Sequence, residues 1–379
     1  MWAYAKAGVC NSSLFEKVAN HIVGHENLDR FIPQELAITV WAYAKVGVDH
    51  PEIFEKVANC IVGQDNLDRF IPQHLSNIMW AYAKAGVSHP KLFEKVANHV
   101  VRIDVLSGFK SQEISNIMWA YAKAGSNHPE LFEKMASHIV SHDNLDRFIP
   151  QDLSNLAWAY ATAQFPHPKL FKKVAEAAIR SKGEFISQHV ANLLWAYATM
   201  GDIDMHLFLS FVSTAANLID SCNNQDLANI SWAYAVADVD APPLYNAHFI
   251  NKCVEKKNAF KNEELRQLHQ WHLWQRKEDV VAQLSSYIGL DPKEEMLMDS
   301  GYRIDALVEV NGKTFGIEVD GPSHFIGRSK SPLAKTILKR RQVPSIDDIE
   351  LVTVPYWEWD EGGNDEVKKQ EYLRVLLEL

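Results

Sequence analysis

Long apolar runs are missing from this sequence of 379 residues. No stretch reaches the roughly 18 apolar residues that a membrane-spanning helix needs, so a spanning helix is excluded. Cysteine is scarce: Cys10, Cys60, Cys222 and Cys253 are scattered, with no Cys-x-x-Cys pair. That excludes a disulfide framework and a structural zinc site, and it fits a reducing compartment. Basic charge is lacking as well. The formal net charge is −10, so the chain as a whole does not carry the electrostatic footprint of a nucleic-acid binder. If nucleic acid is the partner, the positive charge has to be local.

What the sequence does contain is a repeat. Trp2, Trp41, Trp80, Trp119, Trp158, Trp195 and Trp232 head a Trp-Ala-Tyr-Ala unit, at steps of 39, 39, 39, 39, 37 and 37 residues. Each unit reads as two helices. The first is typified by "IPQHLSNIMWAYAKAG" (71–86). Pro33, Pro72 and Pro150 suit a first turn, Ser111 and Ser187 suit an N-cap, and Gly47, Gly86 and Gly125 suit a helix end that needs a positive φ. The second follows His-Pro, as in "HPKLFEKVANHVV" (89–101), where Leu92, Phe93, Val96, Ala97 and Val100 recur at helical spacing. One such hairpin cannot bury its own apolar faces, whereas stacked neighbours can. The expected fold is mainly α: a right-handed α-solenoid of about seven repeats of 37–39 residues, its first helices lining a binding surface. Met1 falls where Met79 and Met118 stand in later units, so the chain starts inside a helix and its N-terminus is expected to be truncated.

One stripe of the first helix stands out. Counted from the Trp, Gln recurs at −7, Asn at −3 (Asn77, Asn116, Asn155, Asn192, Asn229) and Lys at +4 (Lys6, Lys45, Lys84, Lys123). These offsets share one helical face. A ladder of amides and lysines suits a single strand of RNA read unit by unit; equally, the amides could bond backbone between repeats. The Trp and Tyr are expected in the core. Ile38 replaces the Asn in the second unit.

Periodicity ends near residue 256, and strand signals follow. "YRIDALVEV" (302–310) and "TFGIEVDG" (314–321) flank Asn311-Gly312, the pattern of a β-hairpin. A helix (333–341), a strand (350–355) and a last amphipathic helix (365–377) complete an α/β unit. Asp305, Glu318 and Asp320 on the paired strands could hold Mg²⁺ for phosphodiester cleavage; alternatively they are structural. The spacing resembles the PD-(D/E)xK nuclease core, which implies a Lys two residues after the second acid; here that position is Asp320, and Lys335 or Lys339 could replace the Lys. From Gly321 to Ser345 there are six Lys/Arg residues and no Asp or Glu, which is the local basic patch: Arg328, Lys330, Lys335, Lys339, Arg340 and Arg341, with His324 beside them.

"QDLSNLAWAYATA" (151–163) and "QHVANLLWAYATMG" (188–201) resemble the octotricopeptide repeat family. That resemblance implies recognition of single-stranded RNA in organelles, the mitochondrion ahead of the chloroplast. "FGIEVDGPSHF" (315–325), "LKRR" (338–341) and "VTVPYWEWD" (352–360) resemble the RAP domain, with a core match over 312–372. This implies a restriction-endonuclease-like fold and RNA binding. The expected organisation is a solenoid over 1–255, capping or linking helices over 256–300 and a RAP domain over 301–379. Three functions remain open: an RNA-binding protein whose terminal domain clamps RNA, a Mg²⁺-dependent RNA endonuclease, and a protein-interaction scaffold. The basic helix is expected to stop early, at "QVPSIDDIE" (342–350).

Overall fold

The computed structural model describes residues 1–142, 144–239, 241–275, 293–310, 312–320 and 330–355, with single positions at 325, 357, 358, 368, 372, 375 and 376. It divides into two compact units, residues 1–196 and 197–379.

Each repeat is the expected pair of helices. The first helices are α1 (Trp2–Lys6), α3 (Pro33–Val46), α5 (Pro72–Ala85), α7 (Ser111–Lys123), α9 (Pro150–Thr162), α11 (Ser187–Met200) and α13 (Asn224–Ala237). The second helices are α2 (Ser12–Gly24), α4 (Pro51–Gly63), α6 (Pro90–Arg102), α8 (Pro129–Val140), α10 (Pro168–Arg180), α12 (Met205–Asn217) and α14 (Ala247–Glu255). Prolines open seven of these fourteen helices at a first-turn position, where the missing N–H is no loss. Ser111, expected to cap α7, instead takes its first helical position, and its hydroxyl donates to the Arg147 carbonyl at 2.9 Å. Gly47 and Gly86 end α3 and α5 with φ of 71° and 70°, as a left-handed C-terminus requires.

In the first unit α1, α3, α5, α7 and α9 pack side by side in sequence, and α2, α4, α6, α8 and α10 form a second row. Two joints recur at every step. The Tyr of Trp-Ala-Tyr-Ala donates its hydroxyl to the carbonyl of the Phe 28 residues earlier, in the preceding second helix: Tyr43 to Phe15 at 2.5 Å, Tyr82 to Phe54 at 2.5 Å, Tyr121 to Phe93 at 2.6 Å and Tyr160 to Phe132 at 2.7 Å. The rings of each pair meet edge to face at 5.1 Å. All four tyrosines are fully buried. The second joint is a lysine. Lys56, Lys95 and Lys134 reach back to the terminal carbonyls of the preceding second helix, at Val23 (2.7 Å), Val62 (2.8 Å) and Val101 (2.6 Å), and bond the carbonyls of His25, Gln64 and Ile103 as well. A cation is thereby set on the negative end of each helix dipole.

The second unit carries the aromatic joint too, with Tyr234 donating to Phe208 at 2.9 Å. It then closes with α15 (Asn262–Gln275), which packs along α13 where a further first helix would lie. A four-stranded sheet follows in the order β1 (Lys293–Leu297), β2 (Arg303–Val310), β3 (Lys313–Asp320), β4 (Glu350–Pro355). β1–β2 and β2–β3 are antiparallel, and β3–β4 is parallel across α16 (Ala334–Asp347). The expected hairpin turns at Gly312, whose φ is 79°. Strand β1 lies in the segment expected to be helical. Gly316 on β3 has no room for a side chain, since a Cβ would stand 2.7 Å from Ile349 Cδ1 and 3.0 Å from Ile304 Cδ1. Contrary to the early stop expected, α16 runs through Pro344, and the Ser345 hydroxyl donates to the Arg341 carbonyl at 3.0 Å in the turn the proline disturbs. The last helix expected, over 365–377, lies mostly outside the described residues.

Removing one joint hydroxyl, in Tyr121→Phe, should lower unfolding stability by about 1 kcal/mol with helix content unchanged. Denaturant unfolding followed by circular dichroism checks this; an unaltered midpoint would mean that the hydroxyl does not hold the stack.

Candidate nucleic-acid interface

The tyrosine joint fixes how far each first helix is rotated, and therefore which strip it leaves uncovered. Along α5 every residue from Leu75 to Ala83 is buried except Asn77 and Trp80; along α7, from Ile114 to Ala122, only Asn116 and Trp119 escape burial. Gln73 and Lys84 continue the strip of α5 at its two ends and are exposed, as Gln112 and Lys123 do for α7. The Gln, Asn and Lys of the sequence stripe are thus the solvent-facing positions of the first helices.

The strips of neighbouring helices adjoin. A cleft of about 510 Å³ is lined by Lys6, Lys45 and Lys110, by Gln73, Gln112 and Gln151, by Asn77 and Asn116, and by Trp2, Trp41 and Trp80. The structure therefore brings Lys45, Asn77 and Asn116 together, and sets Lys84 and Lys123 at the exposed end of the same strips. Asn155 and Asn192 are partly exposed at the equivalent place in α9 and α11. Asn229 is different. It is 6% exposed and accepts a hydrogen bond from Gln267 of α15 at 3.1 Å, so the capping helix has covered it.

Two contributors were not expected. Lys110 lines the cleft from the residue before α7. Trp41, Trp80, Trp119, Trp158 and Trp195, expected in the core, are only partly buried, while the tyrosines two residues on are wholly so; Trp232 is buried as expected, and Tyr4 of the first unit is exposed. The signal was present in the spacing, since offsets −7, −3, 0 and +4 fall on one helical face.

The electrostatics of this surface differ from those of the whole chain. Carboxylates of the first helices are engaged at helix starts: Glu35 accepts the Ile32 N–H at 3.0 Å and Glu113 the Lys110 N–H at 2.8 Å. Asp152, 3% exposed, accepts the Ser115 hydroxyl at 3.1 Å, and burial pushes its carboxyl above the usual range. By contrast Glu26, Asp29, Glu52, Glu55, Asp65 and Asp68 are exposed on the second helices and links. These six acids lie on elements other than the first helices that carry the lysine strip.

In the terminal domain the basic residues turn inward. Lys339 Nζ lies 2.5 Å from Glu318 Oε1 and donates to the Arg303 carbonyl at 2.5 Å. Arg340 pairs with Asp320, which is fully buried. Arg341 stands 3.5 Å from Asp238 and donates to the Val236 carbonyl at 3.1 Å, at the C-terminal end of α13. Next to it Gln342 donates to the Gln270 carbonyl and accepts from the Tyr302 hydroxyl, both at 2.7 Å. Of the basic residues expected to touch RNA here, Lys335 is exposed, while His324 and Arg328 lie outside the described residues. Lys330 stands 5.2 Å from the Trp357 ring.

The acids expected to hold Mg²⁺ do not fit it. Glu318 is 6% exposed, and burial pushes its carboxyl up against the opposing pull of Lys339, with Asp305 and Asp320 adding to the rise. Asp305 is exposed. Magnesium needs carboxylate oxygens open to it in near-octahedral array. Here an ammonium and a guanidinium already occupy the two buried acids. Among the described residues no three His, Cys, Asp or Glu side chains are placed to share an ion. The acids of β3 anchor α16 to the sheet.

Two stretches of the chain match known families. Residues 64–251 match the family described as RNA-editing substrate-binding complex 6 protein, and residues 317–376 match the RAP domain. A RAP domain-containing chloroplastic protein of Oryza sativa subsp. japonica is 35% identical over 97 residues, which span 26% of this chain and 14% of that protein. The chain is a helical-repeat protein that carries a C-terminal RAP domain. Among the described residues no helix is long and apolar enough to cross a membrane.

Arg341→Ala should therefore act on stability and not on ligand. An unfolding loss of about 2 kcal/mol is expected from a partly buried charged donor, with RNA affinity unchanged in the folded fraction. Filter binding beside thermal unfolding separates the two, and weakened binding at unaltered stability would return Arg341 to the RNA surface.

Proposed function

We propose that this protein binds single-stranded RNA along the exposed strips of its first helices and serves RNA processing, stability or translation in an organelle. The observation that carries the reading is the cleft of the first unit, where Lys6, Lys45 and Lys110 stand beside rows of Gln and Asn side chains. Lysines supply sequence-independent phosphate contacts, and amides can read base edges that a single strand leaves open. The family matched by residues 64–251 is described as an RNA-editing substrate-binding complex protein, and residues 317–376 match the RAP domain, which also figures in the name of the similar chloroplastic rice protein. Both support an RNA partner. The compartment is mitochondrion or chloroplast.

We assign the repeat to the octotricopeptide type, with the solenoid over 1–255, a cap over 256–300 and the RAP domain over 301–379. In this division the solenoid selects the transcript and the RAP domain clamps it. The clamp offers Lys335, together with the segment bearing His324 and Arg328. The net charge of −10 suits protein partners, which keeps a scaffold role as the second reading. Cleavage by Asp305, Glu318 and Asp320 is not part of the proposal, because the ion pairs of Lys339 and Arg340 fill that site.

Lys84→Ala combined with Lys123→Ala should weaken binding to single-stranded RNA and reduce the slope of log affinity against log salt by about 1.4, at roughly 0.7 per phosphate contact. The unfolding midpoint should not move, because both side chains are exposed. Titration at several salt concentrations measures this. An affinity indifferent to salt, or absent, would favour a protein scaffold.

A further inference from the structure

Tryptophan is the largest apolar side chain, and burying it is strongly favourable. In this fold Tyr43, Tyr82, Tyr121 and Tyr160 are sealed in the core, while Trp41, Trp80, Trp119 and Trp158, which open the same units, are left partly in solvent. The exposed rings also come in pairs. Trp41 and Trp80 have ring centroids 6.4 Å apart at an interplanar angle of 34°. Trp119 and Trp158 repeat the arrangement at 6.3 Å and 34°. These centroid separations fall a little short of twice the roughly 3.4 Å between stacked bases, and the tilt opens each pair on one side, so a base would enter by spreading the rings slightly. At the first repeat, outside both pairs, the Lys6 ammonium lies 4.8 Å from the centre of the Trp2 ring.

We propose that the pairs Trp41–Trp80 and Trp119–Trp158 are stacking slots for nucleobases, each admitting one planar base between its rings. The inference rests on reading the first-helix cleft as an RNA surface and adds how that surface holds a base. The surrounding groups fit the task. Asn77 and Asn116 lie one helical turn before Trp80 and Trp119 on the same strip, within reach of a base edge, and Lys84 and Lys123 lie one turn beyond, where the sugar-phosphate chain would leave the slot. Stacking accepts any base, because every base has a π-face, whereas the amides discriminate among edges. Selectivity would then reside in Gln and Asn, and affinity in Trp and Lys.

The test compares an oligo-uridylate with an abasic ribose-phosphate oligomer of equal length, both titrated against the full chain. The base-bearing oligomer should bind roughly tenfold or more tighter, and should quench tryptophan fluorescence where the abasic one does not. Trp80→Leu should bring the two affinities together, and Trp80→Tyr should restore most of the difference by returning a ring. Thermal unfolding of both variants verifies that they are folded, and the wild-type comparison stands if either is not. Equal affinity of the wild-type chain for the two oligomers would overturn the slots while leaving a phosphate-binding cleft in place. Failure to bind either oligomer would overturn the slots and the RNA reading together.

Discussion

The tyrosine hydroxyl that donates to a phenylalanine carbonyl of the preceding second helix is the joint on which the stack depends. It is a directional bond inside an apolar core, so it fixes the rotation of each first helix as well as its distance. Hydrophobic burial alone would not, because α5 and α7 are apolar round most of their circumference. With the tyrosine held in, Gln, Asn, Trp and Lys at offsets −7, −3, 0 and +4 have only one direction left. The binding surface follows from the packing. The lysine staples on the second helices work in the same sense, since they tie each helix end to its successor and keep those cations away from solvent.

Charge shows the same division of labour. A chain of net charge −10 looks unsuited to a polyanion, yet charges act within about 8 Å in physiological salt. What counts is therefore the local array. First helices spend their carboxylates on caps and keep their lysines outward. Second helices and links carry the exposed acids. The terminal domain uses the opposite arrangement, folding its cations against Glu318, Asp320 and Asp238.

Most of the architecture was legible in the sequence because its signals are periodic. Steps of 39 and 37 residues between tryptophans, prolines at first turns and glycines at helix ends are local marks of local structure. Strand β4 and the hairpin at Gly312 were legible for the same reason. Strand β1, "KEEML", was not: it is short and charged at an edge, and only its pairing with β2 makes it a strand. The inward turn of Lys339, Arg340 and Arg341 was hidden as well, since a run of cations says nothing about which carboxylates lie opposite until Glu318, Asp320 and Asp238 are placed in space. Trp was misplaced for a subtler reason. Residue type puts it in the core, and only helical phase, set by the tyrosine, shows that it shares its face with Asn and Lys.

The central claim is that the exposed strips of the first helices meet RNA. Crosslinking in living cells, with sequencing of the attached RNA and mapping of the attached peptides, tests it most directly. Recovery of a defined set of organellar transcripts, with crosslinked peptides from α3, α5, α7 and α9, is the predicted result. No RNA above background, or crosslinks confined to the second helices, would contradict it.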